Sequence, residues 1–510
     1  TYYKTILYYF LERDSSMYIP FTDIYITDQV VFTVITAIIF FVNFLLAIGL
    51  IFLERRSAQS VWAWMLVLFF LPIVGFLLYI LFGRTIYRQQ IFKIDEKDKV
   101  GLEHLVSEQL EEIRENHLSF SNSTAEKHKK QIHMLLYNNQ SFVTSNNDVT
   151  TYTNMNDKFD QMIRDIDDAE DHIHFQYYIF KLDGIGNRLY KALLKKQKEG
   201  VSVRILYDDI GSRSLSLRNF SDIREQGGLV EAFFPSKLPL INPRINNRNH
   251  RKIVVIDGRI GYIGGSNVGD EYIGLSPKMG AWRDTHLRIE GNAVKSLQIR
   301  FMLDWNSHDT RYNMHNTERF FPELPSVGDT TMQIASSGPD ENYQQIKYGY
   351  LKMIYNAKDT IYIQSPYFIP DQSIMEALRI AILAGIKVYI MIPSFPDHPF
   401  VYWATYSNVG ALMRMGANIY MYQPGFLHQK VFIIDDEVVS VGTTNVDNRS
   451  FILNFEVNAF MYDKEEAKKH RLIFENDIQY CEILTEEKYD DRGLWIKLKE
   501  GLANLISPIL

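Results

Sequence analysis

At 510 residues the chain is too long for one ordinary core and predicts about three domain-sized units. Its 46% hydrophobic and 23% charged residues are those of a folded protein, and a net charge of −7 argues against a nucleic-acid binder, which carries a basic surplus. One cysteine, Cys481, excludes a disulfide framework and a cysteine metal site, and it reads as a buried bystander.

The chain opens at Thr1, so an initiator residue is expected ahead of it, and residues 1–28 carry no assignable signal. Two uncharged apolar stretches follow, Val30–Leu53 and Val61–Gly83. Each exceeds the ~20 residues needed to cross the hydrocarbon, so residues 29–83 are expected to form a two-helix transmembrane hairpin. Pro72 leaves a kinked, re-entrant second arm open. Arg84, Arg88, Lys93, Lys97 and Lys99 outweigh Arg55 and Arg56 in the turn, which places the rest of the chain in the cytoplasm. Residues 84–140 read as a charged cytoplasmic linker, in which Glu103–Asn116 fits an amphipathic helix.

The remainder reads as an internal repeat. Ala169-Glu170-Asp171-His172-Ile173-His174-Phe175-Gln176 aligns with Ala357-Lys358-Asp359-Thr360-Ile361-Tyr362-Ile363-Gln364. Each segment is a helix end and a strand, followed by a helical stretch, a glycine (Gly200, Gly385) and a buried strand. A unit near 180 residues is too long for a solenoid and fits a duplicated α/β domain, 141–322 and 323–510. The boundary is expected around Phe320–Asp329.

Within each half one constellation carries chemistry. His250-Arg251-Lys252 is followed by four apolar residues, Asp257 and Gly264-Gly265-Ser266-Asn267. His428-Gln429-Lys430 is followed by four apolar residues, Asp435 and Gly442-Thr443-Thr444-Asn445. The apolar runs mark buried strands, and residues two apart on a strand share a face. His250 therefore points with Lys252, and His428 with Lys430. Two sets of imidazole, ammonium and Asn amide would surround one tetrahedral anion, and a phosphodiester fits best. Two histidines suit a two-step displacement, one attacking phosphorus and the other moving protons. Downstream carboxylates, Asp284 and Glu456, can hold the imidazoles. The scheme requires no metal and no cofactor. His172 and His174 read as strand residues sharing a face rather than zinc ligands, since no acidic or cysteine partner stands at useful spacing.

Two copies of H-x-K-x4-D with a following G-x-x-N resemble the phospholipase D superfamily. The extension Asn445 to Glu456, the segment Gln364-Ser365-Pro366-Tyr367-Phe368-Ile369-Pro370 and the expected membrane hairpin together resemble bacterial cardiolipin synthases. The resemblance runs from about residue 30 to the end, including Ser507-Pro508-Ile509-Leu510. It implies two phospholipase D-type α/β lobes forming one pseudo-symmetric catalytic unit behind the transmembrane hairpin. It also implies a multi-pass protein of the bacterial cell membrane. The implied reaction moves a phosphatidyl group from one phosphatidylglycerol to another through a phosphohistidine, giving cardiolipin and glycerol.

The resemblance implies a catalytic set of His250, Lys252, Asp257, His428, Lys430 and Asp435, with His250 as nucleophile and His428 as general acid and base. Within that set the two aspartates are expected to be structural. Asn267 and Asn445 would bind phosphate. The support is crosswise: Glu456 would orient His250, and Asp284 would orient His428. Many relatives place a serine after the motif glycine; Thr443 keeps a hydroxyl there and Gly265 does not.

The same site could pass the phosphatidyl group to water, so a phospholipase D-type hydrolase is the rival. A nuclease is opposed by the acidic net charge and the two expected membrane spans. The aromatic loop Ser394–Trp403 could touch lipid or pack in the core. Oligomeric state is not readable from the sequence.

Overall fold

The computed structural model describes residues 17–18, 25–26, 28–52, 58–82, 106–115, 120, 122–235, 246–307, 312–315, 318–341 and 343–506. Most of residues 1–28, the turn 54–56, the basic residues 84–99 and the terminal 507–510 lie outside these. The chain divides into two compact units that part after Thr85.

In the N-terminal unit, helix Asp28–Phe52 contains a span, Gln29–Gly49, long and apolar enough to cross a membrane. The second apolar stretch differs from expectation. It forms two helices, Ala58–Phe70 and Pro72–Phe82, of 13 and 11 residues, each short of the ~20 needed to span. Proline has no N–H, so the carbonyl of Leu68 loses its helical donor at position 72. The side chain of Asn43 takes that place, donating to Leu68 O at 3.4 Å and Pro72 O at 2.9 Å. The two short helices fold back on each other: the rings of Trp64 and Tyr79 lie 5.3 Å apart. On one continuous helix they would be separated by about 22 Å. Among the described residues there is thus one helix of spanning length, not the expected pair.

The larger unit is built on one 15-stranded sheet. We number its strands β1 (Val143–Tyr152), β2 (His172–Tyr177), β3 (Ser202–Asp208), β4 (Leu229–Phe233), β5 (Ile253–Ile256), β6 (Ile260–Gly264) and β7 (His286–Gly291) in the first half. The second half holds β8 (Thr330–Ser337), β9 (Thr360–Gln364), β10 (Lys387–Pro393), β11 (Asn418–Tyr422), β12 (Val431–Ile434), β13 (Val438–Gly442), β14 (Glu456–Tyr462) and β15 (Cys481–Ile483). Across the sheet the order is β15-β11-β10-β9-β12-β13-β14-β8-β1-β7-β6-β5-β2-β3-β4. The two halves mirror each other about the antiparallel pair β1–β8. In each, parallel strands linked by helices (β2-β3-β4 and β9-β10-β11) adjoin an antiparallel set carrying the motif strands β5 and β12. This is the expected duplicated α/β arrangement. Helices Gly184–Lys198 and Gln372–Leu383 each end before a glycine, Gly200 and Gly385, whose φ of 96° and 90° an L-residue rarely adopts.

Two segments and one residue depart from the sequence reading. The linker is folded in its latter part: helix Lys129–Asn139 buries Ile132, Leu135 and Leu136 with Ile346 and Tyr350 of the second half. Val106 and Ile113, inside the expected amphipathic helix, join the same core. The aromatic loop is in part helix Pro399–Met413, with Pro399 in the first turn, where its missing N–H costs nothing. Cys481 is half-buried rather than buried.

Candidate active site

Both motif histidines stand at the entrance to a buried strand, and each is sewn to the opposite half. The N–H of His250 donates to Phe455 O at 3.0 Å, and that of Phe455 to Arg248 O at 2.9 Å. The N–H of His428 donates to Arg283 O at 2.8 Å, extending the parallel pairing of Gly425–Leu427 with Ala281–Arg283. Each histidine thus lies beside the carboxylate next along the partner strand. His250 Nδ1 is 2.9 Å from Glu456 Oε2, and His428 Nδ1 is 2.7 Å from Asp284 Oδ2. A carboxylate can only accept, so Nδ1 carries the proton and the Nε2 lone pair is left for chemistry. Among the described residues no hydrogen bond engages either Nε2.

The lysines follow by strand alternation. Lys252 Nζ donates to His250 O at 2.7 Å, and Lys430 Nζ donates to His428 O. All four groups are buried. Burial pushes His250 down to about 4, against the raising pull of Glu456, and Lys252 and Lys430 lower it further. Burial, then Lys430, pushes His428 down to about 3 against the pull of Asp284, and Lys252 adds to the fall. Each imidazole therefore feels the lysine of the other half as well as its own. Burial also lowers Lys252 to about 7 and Lys430 to about 8. Neutral imidazoles thus stand beside weakened ammonium groups, an arrangement an anion would relieve.

The carboxylates are held differently. Glu456 accepts from Thr443 Oγ1 and from Asn454 Nδ2 at 3.1 Å. The corresponding position in the first half is Gly265, where a β-carbon would lie 2.1 Å from Asp284 Oδ1. No side chain fits there, so the first half forgoes the hydroxyl, and Asp284 accepts the N–H of Thr285 at 2.8 Å. Asn267 Oδ1 accepts the N–H of Ile179 at 3.2 Å, which leaves its amide to donate. Asn445 is buried, and its Oδ1 has no partner among the described residues.

The motif aspartates, expected to be structural within that set, stand apart from the histidines. Asp257 and Asp435 lie beyond the far ends of β5 and β12, in turns at φ 54° and 52°. Asp257 accepts the N–H groups of Glu170, Asp171 and His172 at 2.8–2.9 Å. Asp435 does the same for Lys358, Asp359 and Thr360 at 2.8–2.9 Å. Each pins a hairpin turn to the start of the neighbouring strand.

Sequence reasoning missed the support beneath the histidines. Arg251, the middle residue of its motif, pairs with buried Asp304, and Gln429 Nε2 donates to Asp477 Oδ2 at 3.1 Å. Gln176 and Gln364, the last identical position of the repeat, donate to the same two carboxylates at 2.6 and 3.2 Å. Their identity across the repeat was the available signal. The rings of Tyr178 and Trp282 lie 4.9 Å from His250 and 5.0 Å from His428. The rings of His172 and His174 lie 4.6 Å apart on β2, tilted to each other, their Nδ1 atoms engaged by Asp171 and Gln298.

Comparison with known proteins matches residues 162–281 and 350–478 to the family described as cardiolipin synthase, PLD-like domain. Residues 34–84 match a phospholipase D-nuclease N-terminal family. The chain is 56% identical over 483 residues to cardiolipin synthase 2 of Staphylococcus epidermidis, covering 95% of this chain and 99% of that one. It is 57% identical over 471 residues to a cardiolipin synthase of Staphylococcus aureus, covering 92% and 95%. Among solved structures, a phosphatidylserine synthase of Haemophilus influenzae superposes with a TM-score of 0.58 at 13% identity, over 76% of this chain and 100% of that one. That likeness shows the fold alone. With the paired motifs and near full-length identity to these relatives, the chain belongs to the cardiolipin synthase family of the phospholipase D superfamily.

Proposed function

We propose that the chain is a cardiolipin synthase that transfers a phosphatidyl group from one phosphatidylglycerol to another through a phosphohistidine. The observation that carries the reading is the pair of buried imidazoles, each fixed at Nδ1 by a carboxylate of the opposite half and flanked by a lysine.

In the first step His250 Nε2 attacks phosphorus, and the bond from phosphorus to the glycerol headgroup oxygen breaks. His428 protonates that oxygen, and glycerol leaves. In the second step the terminal hydroxyl of another phosphatidylglycerol attacks phosphorus, His428 takes its proton, and the nitrogen–phosphorus bond breaks to give cardiolipin. The order of the histidines follows the family resemblance. Lys252, Lys430, Asn267 and Asn445 would neutralise the non-bridging oxygens. A bound phosphodiester carries the negative charge that lets His428 take up the proton it must donate.

The reading includes the division into lobes 141–322 and 323–510. It places the protein at the bacterial cell membrane through its apolar N-terminal segment, with the catalytic body cytoplasmic. The test is incubation of purified protein with phosphatidylglycerol alone, followed by lipid mass spectrometry. Cardiolipin and glycerol in equal amounts are expected; phosphatidic acid as the main product would make the protein a hydrolase. His250→Ala and His428→Ala should each abolish product, and normal product from either would rule out the two-histidine scheme.

A further inference from the structure

The last helix, Leu494–Ile506, turns Leu494, Trp495, Leu498, Leu502 and Leu505 away from the protein. Its inward face is fixed by other residues. Ala503 is buried against Ile369 and Ala404, buried Glu500 pairs with Arg492 at 2.8 Å, and Asn504 donates to Ser407 Oγ at 2.7 Å. At about 100° per residue, Leu494, Trp495, Leu498, Leu502 and Leu505 fall within one arc of about 100°. All five are exposed, from 51% at Leu498 to 85% at Leu494. Five large apolar side chains in one stripe exceed the scatter of single ones that a water-facing surface carries.

The chemistry of the stripe's edges says what covers it. Lys497 and Lys499 flank it, and Lys499 Nζ lies 5.2 Å from the Trp403 ring and 5.9 Å from the Trp495 ring. The helix's one acid, Glu500, is buried and paired, so its outward side is apolar and cationic. In a chain of net charge −7 that local reversal complements an anionic lipid surface. The position is equally informative. The helix packs along Pro399–Met413, whose Thr405 Oγ1 accepts the N–H of Phe368 at 3.0 Å. Phe368–Ile369 pairs with Val446–Asp447, the residues directly after Asn445. Helix Pro399–Met413 and this short strand pair thus connect the stripe's helix to the site.

We propose that helix Leu494–Ile506 lies in the plane of an anionic bilayer's interface with this stripe immersed. It forms an anchor of its own, distinct from helix Asp28–Phe52, and holds the site against the surface that supplies lipid. Its effect on rate rests on the lipid-substrate reading above; its insertion does not.

The experiment uses the full chain carrying Cys481→Ser, with Leu498→Cys, Leu502→Cys or Lys497→Cys added singly and labelled with an environment-sensitive dye. Each is reconstituted into vesicles of phosphatidylglycerol and phosphatidylcholine. Dye at positions 498 and 502 should be quenched at least about threefold more by acyl-chain spin labels than dye at 497, and less by aqueous iodide. Equal iodide quenching at all three positions, or shielding from both quenchers at 498 and 502 by a second copy or another protein surface, would overturn the proposal. The double variant Leu498→Glu/Leu502→Glu should lose at least about tenfold of its activity on vesicles. It should keep its melting temperature and its activity on detergent-dispersed phosphatidylglycerol; an undiminished vesicle rate would remove the catalytic consequence. Lipid quenching at 498 and 502 without any cardiolipin formation would sink the assigned function and leave the anchor standing.

Discussion

Replacing Glu456 with glutamine removes one charge from the site while keeping the side chain's volume. Glu456 is buried, lies 2.9 Å from His250 Nδ1 and also accepts from Asn454, so Glu456→Gln retains an accepting oxygen and most of its packing. What it loses is the stabilisation of positive charge that grows on the imidazole as it bonds to phosphorus. Two unit charges about 4 Å apart at an effective dielectric near 20 interact by about 4 kcal/mol. That corresponds to about three decades in rate. We expect kcat for cardiolipin formation to fall about 10³-fold, measured by lipid mass spectrometry over time, with a melting temperature close to the parent's. A kcat within about tenfold of the parent in a folded variant would refute the reasoning, because His250 would then need no carboxylate.

Gly265→Ser should cost at least about 100-fold in rate, since its β-carbon would meet Asp284 Oδ1 at 2.1 Å and drive that carboxylate off His428; a near-parental rate would show that Asp284 can give way. With Lys252 at about 7 and Lys430 at about 8, the free site sheds positive charge as pH rises through those values. The lysines bind phosphate only when protonated, so kcat/KM should be full below this range and fall above it, while kcat, measured with the anion bound, stays flatter. A kcat/KM profile level to about pH 10 would remove the lysines from phosphate binding. Activity should survive chelation of divalent cations; loss on chelation with rescue by one metal would replace the two-histidine scheme.

The duplicated architecture was legible because both halves repeat the same alternation of strand, helix, glycine and strand, and because a side-chain period of two puts His and Lys of each motif on one face. The fold-back at Pro72 was less legible. Composition shows an apolar stretch, but whether it continues past a proline depends on a donor supplied from elsewhere, here Asn43. The packing of Lys129–Asn139 against the second half was hidden by its polar composition, since its inward face holds Gln131 as well as Ile132, Leu135 and Leu136. Asp257 and Asp435 share the motif spacing with the histidines, yet a strand of four residues carries each away from them. The sequence interval records a distance repeated along the chain, not a shared destination. The pairing of Arg251 with Asp304 joins residues 53 apart on different elements, which no local pattern reveals.

The two-imidazole displacement makes one species that no other scheme makes. Protein mixed with phosphatidylglycerol, quenched within a turnover, digested and analysed by mass spectrometry should carry a phosphatidyl group on the peptide containing His250. Cardiolipin formed without that adduct, or an adduct on any other residue, would contradict the account.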